Sequence, residues 1–186
     1  MEYKYTTTFD CPISVCKINE ASLISEASLS NLAPLVPKDI DYKSNVDLLG
    51  VAFNAAVVNK FNRNGDGMDT ETAIAYTPNF VHKPTNIEHD KQKVVGHIVD
   101  AGFSSIETSE ILKAENIKDK KTPFNIALGA VIYKSVNKNF TDLVESSLDP
   151  ESSSYKKVSA SWEIGFSDYV LAVGSDELKD AKIISD

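Results

Sequence analysis

Residues 158–166 read Val158-Ser-Ala-Ser-Trp-Glu-Ile-Gly-Phe166, a run in which apolar residues alternate with small or polar ones. In a strand, successive side chains face opposite sides of the sheet. Val158, Ala160, Trp162, Ile164 and Phe166 then share a face that must pack on a core, while Ser159, Ser161, Glu163 and Gly165 share the other. Either serine would stand outward on a rigid element, where a nucleophile can be held in place. A serine hydroxyl is a weak nucleophile until a base accepts its proton, and histidine is the usual base because it titrates near neutrality. Three histidines are present: His82, His89 and His97. His89 lies in Thr85-Asn-Ile-Glu-His-Asp90, directly before an expected strand. His97 lies inside that strand, where a structural role competes, and His82 sits in a loop beside Pro84. A serine on one strand and a histidine leading into another make a workable dyad for acyl transfer. The bland reading is a polar face turned to water, as antiparallel strands commonly show.

Other chemistries fit less well. Asn62-Arg-Asn-Gly-Asp-Gly67 matches the front of an EF-hand loop, but the twelfth position is Ala73 instead of a bidentate glutamate, and a strand is expected before it. A plain Asn/Gly turn explains it better, with a calcium-binding β module as the minor alternative. Cys11 and Cys16 have no histidine near in sequence, and their odd spacing puts them on opposite faces of a strand, so they read as packing residues. No His-Glu-x-x-His is present, and the adjacent Glu88, His89 and Asp90 cannot all face one ion on a regular strand. No metal or cofactor is expected.

The chain has 186 residues, with 19 Lys plus Arg against 27 Asp plus Glu and a formal net charge of −8. At 42% hydrophobic and 25% charged it has globular composition, which excludes wholesale disorder and fibrous repeats. The acidic balance and the single arginine, Arg63, argue against a general nucleic-acid binder, which needs a basic face. No apolar run approaches the roughly 18 residues of a membrane span, and Met1-Glu-Tyr-Lys4 does not open a secretory signal, so neither membrane nor export is expected. Two cysteines are too few for a disulfide framework, and a reducing compartment is the default. The length suits one domain spanning 1–186.

The elements that must position the serine and histidine follow from periodicity. Strands are expected over residues 50–58, 93–103, 124–134 and 155–166. A strand over 9–18 is interrupted early by Pro12, and a short last strand covers 169–173. A short helix over 69–76 would be capped by Asp69 and stopped by Pro78. A second has Phe140, Leu143, Val144 and Leu148 at helical spacing, with Asn137 as cap and Asp149-Pro150 as its end. Residues 21–32 space apolar residues loosely at helical intervals, and the prolines at 34 and 37 stop anything helical there. The polar segment 104–122 is expected to be a loop with a helical turn over 107–114. The sum is an α+β domain: a strand-dominated curled sheet or barrel with a few peripheral helices.

In order and spacing, several segments resemble the prohead (capsid maturation) proteases of tailed bacteriophages, which share the fold of herpesvirus assemblin. They are the asparagine-rich turn Val57-Val-Asn-Lys-Phe-Asn-Arg-Asn64, the histidine segment Lys83-Pro-Thr-Asn-Ile-Glu-His-Asp90, the strand Val94-Val-Gly-His-Ile98 with its early glycine, and Lys157-Val-Ser-Ala-Ser-Trp-Glu163. The resemblance covers about residues 49–173. Its specific part is the order of the Asn-x-x-His-Asp and Val-Ser-x-x-x-Glu blocks.

The resemblance implies a herpesvirus-protease-like fold and a serine endopeptidase that cleaves scaffolding, core and capsid proteins inside the assembling phage prohead, in the host cytoplasm. His89 would be the general base and Ser159 the nucleophile, with Ser161 as runner-up on the same face. Backbone amides would hold the oxyanion. The third member varies in such families and usually follows the serine. Asp186 has the most similar separation, with Asp176, Asp168 and His97 as further candidates. Some relatives place an arginine near the oxyanion, whereas Arg63 lies far upstream. The ending Asp180-Ala-Lys-Ile-Ile-Ser-Asp186 reads as a longer protein cut short. A homo-oligomer is compatible with the resemblance. The competing class is a non-catalytic phage core or scaffold protein.

Overall fold

The computed structural model describes residues 5–12, 31–62, 65–117, 121–155, 157–166, 169–173 and 182–185. Nine strands and two α-helices occur among them, and every strand pairing is antiparallel. The architecture is α+β with few helices, as the periodicity predicts.

The centre is a sheet in the order β2 (Leu48–Val58), β6 (Phe124–Tyr133), β4 (Val94–Ser104) and β3 (Pro84–Asn86). A two-residue strand β5 (Ile111–Leu112) adds to β4. Nearly every residue of β6 is buried, as a strand with neighbours on both edges and cover on both faces requires. The two faces differ in residue size. One carries Val51, Phe53, Ile126, Leu128 and Ile132 into the main core. The other carries Ala52 and Ala127, and over it lies the segment holding Leu32, Leu35 and Val36. That strap comes close because the face is small: a Cβ on Gly129 would stand 1.9 Å from the Leu35 carbonyl oxygen.

A separate ribbon pairs β1 (Tyr5–Pro12) with β7 (Ser159–Phe166), and a second pairs β8 (Val170–Val173) with β9 (Lys182–Ser185). The alternation along β7 is realised. Val158, Ala160, Trp162 and Ile164 pack on the main core, while Ser159, Ser161 and Glu163 are exposed. A register shift in β2 between Asn54 and Ala56 leaves Ala55 outside the ladder, and the Trp162 indole N–H donates to the Ala55 carbonyl at 3.1 Å. Phe80 meets the indole edge-on at 4.9 Å. An indole with its N–H satisfied can be packed into a core, so this contact fixes β7 above the sheet.

Helix α1 (Thr70–Tyr76) starts at Asp69, whose carboxylate accepts the Thr72 amide at 2.7 Å. Helix α2 (Lys138–Ser146) starts at Asn137, which accepts the Phe140 amide at 3.0 Å. Both caps match the sequence reading, although α2 ends before Asp149. The helical turn expected over 107–114 is not formed. The Ser105 amide donates to the Glu110 carbonyl, Ser109 takes a left-handed φ of 56°, and the chain reverses into β5 before a 3-10 turn at Ala114–Asn116. Strands β3 and β9 were not anticipated. The stretch expected as a strand over 9–18 is β1 up to Pro12, with 13–18 outside the described residues, as are 21–30 of the loosely helical segment.

Candidate active site

His89 lies in the hairpin loop between β3 and β4. Several bonds shape that loop. The Ile87 amide donates to the Lys93 carbonyl at 3.2 Å, Asp90 to Ile87 at 3.0 Å, and Lys93 to Asp90 at 2.9 Å. The Asp90 side chain accepts the Gln92 amide at 2.9 Å and pairs with the Lys93 ammonium at 3.1 Å. Those contacts, the Gln92 amide first and Lys93 second, hold its carboxyl below the usual carboxylate range. Asp90 therefore organises its own loop. Glu88 and His89 are consecutive left-handed residues, with φ of 53° and 58°. Two non-glycine residues in that region are uncommon, and such strain recurs where a side chain must be aimed.

The imidazole reaches β7. His89 Nε2 and Ser161 Oγ are 2.8 Å apart, and both residues are exposed. When the ring proton sits on Nδ1, the Ser161 hydroxyl donates to Nε2, which is the geometry of a nucleophile with its base. The hydrogen bond falls on Ser161 and not on Ser159, the residue the resemblance favours. Ser159 is exposed on the same face, two residues or about 7 Å along the strand. Nothing in the alternation separates two serines on one face. The choice is made by where the β3–β4 loop reaches and where the Trp162–Ala55 bond sets β7.

The other candidates lie elsewhere. His97, on β4, bonds through Nδ1 to the Tyr133 hydroxyl at 2.8 Å, with the rings 5.8 Å apart, and is thus a satisfied structural histidine. The His82 amide donates to the Ile98 carbonyl at 2.8 Å from a left-handed residue, φ 68°. Asp186, Asp176, Asp168, Arg63 and Cys16 fall outside the described residues. Cys11 is in β1, at the register position opposite Ala160. Opposite Ser161 stands Asp10, a position the sequence reading did not weigh.

On either side of residues 63 and 64, which lie outside the described residues, Asn62 is drawn back to Gly65 and Asp66, the Gly65 amide donating to the Asn62 carbonyl at 3.1 Å. The Asn62 side-chain oxygen accepts the Asp66 amide at 2.9 Å, Gly65 has φ of 85°, and Phe61 bridges to Gly67. Strand β2, not a helix, leads into it. Among the described residues no three His, Cys, Asp or Glu converge as metal ligands, and no helix is long and apolar enough to cross a membrane. A cleft of about 400 Å³ lies between residues 34–40 and Val99-Asp100, and one of about 570 Å³ is lined by Lys60, Ile106, Leu112, Ile117 and Phe124 among others. Neither contains His89 or Ser161; the dyad stands on open surface. Compared with models of protein families, with curated proteins and with solved structures, the chain has no match.

Proposed function

We propose that the protein is a serine endopeptidase in which Ser161, in place of Ser159, is the nucleophile and His89 the general base. The single observation that carries the reading is the 2.8 Å contact between Ser161 Oγ and His89 Nε2. The Ser161 oxygen forms a bond to a peptide carbonyl carbon as its proton passes to Nε2. Collapse of the tetrahedral intermediate breaks the C–N bond, and Nε2–H returns the proton to the leaving amine. Water then attacks the acyl ester with the same histidine as base, releasing a carboxylate and restoring the hydroxyl. A solvent-open dyad on a strand suits a polypeptide substrate, which can lie extended across the surface.

The biological setting rests on the sequence resemblance alone. Under it, the substrates are scaffolding, core and capsid proteins of a phage prohead, and the fold is herpesvirus-protease-like. The short order of motifs, the His89 loop leading into β4 and the serine strand β7 are consistent with that setting.

Treatment with a fluorophosphonate probe, followed by peptide mapping, tests the chemistry. Wild type and Ser159→Ala should be modified at Ser161, and His89→Ala only weakly. A label on Ser159 would move the nucleophile. No label on either serine would favour the non-catalytic core or scaffold role.

A further inference from the structure

The surroundings of Ser161 are electrically polarised along β7. The outward residues of the strand and its approach are Lys157, Ser159, Ser161 and Glu163, and all four are exposed. One cation and one anion therefore bracket the two hydroxyls. Glu163 is two residues from Ser161, about 7 Å, and Lys157 is four residues away on the other side, about 13 Å. The β1 register adds Asp10 opposite Ser161, Thr8 opposite Glu163 and Pro12 opposite Ser159. On the histidine side the loop holds Glu88, Asp90, Lys91 and Lys93, whose charges balance, with Asp90 already paired to Lys93. Among the described outward residues of β7 and its approach, the negative charge of Glu163 therefore lies on one side of Ser161 and the positive charge of Lys157 on the other, beyond Ser159.

Resting on the protease reading, we propose that this face of β7 is the substrate track and that Glu163 makes the site select polypeptides with Lys or Arg two residues from the scissile bond. An extended peptide has the same two-residue period as β7 and a rise of about 3.3 Å per residue. With its scissile carbonyl over Ser161, the residue two positions along lies over Glu163. A basic side chain there meets a carboxylate, and an acidic one is repelled. Lys157 makes the preference directional: a basic residue at the opposite end gains nothing, and an acidic one is tolerated.

The test is cleavage of a proteome-derived peptide library, with cut sites sequenced by mass spectrometry for wild type, Glu163→Gln and Glu163→Lys. Melting temperatures confirm that the exposed substitutions leave the fold intact. Wild type should show basic residues enriched at one position, two residues from the cut and on one side only. Glu163→Gln should flatten that enrichment. Glu163→Lys should turn it acidic, a change of about tenfold in the Lys-to-Glu ratio, near the upper range of two exposed charge contacts. An identical profile in wild type and Glu163→Lys overturns the inference while leaving the protease intact. If Ser161 is not labelled and no peptide is cut, the protease reading falls and takes this one with it.

Discussion

Two histidines on one β-hairpin have opposite fates. His97 sits within β4, where a regular backbone and the Tyr133 hydroxyl fix its ring. Eight residues earlier, His89 sits in the loop with a left-handed backbone, and its ring projects to a serine on another ribbon. The residue type is the same; the backbone decides whether the ring is held against its own sheet or reaches a serine on another ribbon. A strand presents a side chain perpendicular to its sheet, whereas a strained loop can aim one across a gap.

The sharpest way to break this comparison is at the serine. Ser161→Ala should lower peptide cleavage by at least about 10³-fold, while Ser159→Ala stays within a few-fold, both by initial rates on the same substrate. Equal losses would mean that the contact seen at Ser161 is not the reactive one. Next comes the histidine pair. His89→Ala should cost about 10²–10⁴-fold in kcat, and His97→Phe should cost little in kcat while lowering the melting temperature. A larger kcat loss at His97 would erase the distinction.

The hairpin that carries both histidines depends on Gly96. A Cβ there would lie 2.1 Å from the Val131 carbonyl oxygen and 2.9 Å from Thr85 Oγ1. Gly96→Ala must push β3 or β6 aside, and should cost about 1–3 kcal/mol in denaturant unfolding. Tyr133→Phe removes only the partner of His97 and should cost about 1 kcal/mol with kcat unchanged.

The smallest effect is one of pH. Because the Asp90 carboxyl is held below its ordinary value of 3.8, its support of the His89 loop is complete above that value. The support is lost as pH falls through the lower folded-state value. Hydrogen exchange at the Gln92 amide should therefore show protection at pH 5 that persists down to the ordinary carboxylate value of 3.8 and is lost only below it, relative to the amides of β4. In Asp90→Asn that pH dependence should vanish.

Much of this was legible in the residues. The apolar runs of β2, β4 and β6 and the caps Asp69 and Asn137 are strong local signals, and the structure follows them. The two faces of β7 were equally plain. Strand β3 was not, because Pro84-Thr-Asn86 is short and polar and becomes a strand only by pairing with β4. The helical turn expected over 107–114 does not form because Ser105 closes a reversal, its hydroxyl oxygen accepting the Glu107 and Thr108 amides and its own amide donating to the Glu110 carbonyl. Which serine the histidine meets could not be read at all. That depends on left-handed Glu88 and His89, where neither glycine nor asparagine announces the conformation, and on a bulge in a strand a hundred residues away.

That bulge sets the tolerance of the chain to length changes. The Ala55 carbonyl and the Trp162 indole fix which residues of β7 face the core, and the next residue outward is Ser161. Residues 147–155 form turns ahead of this anchor, so their number can drift among descendants of this sequence without disturbing the dyad. A single residue inserted between Ser161 and Trp162 has no such freedom, because it would turn Ser161 towards the core while the indole keeps its hold.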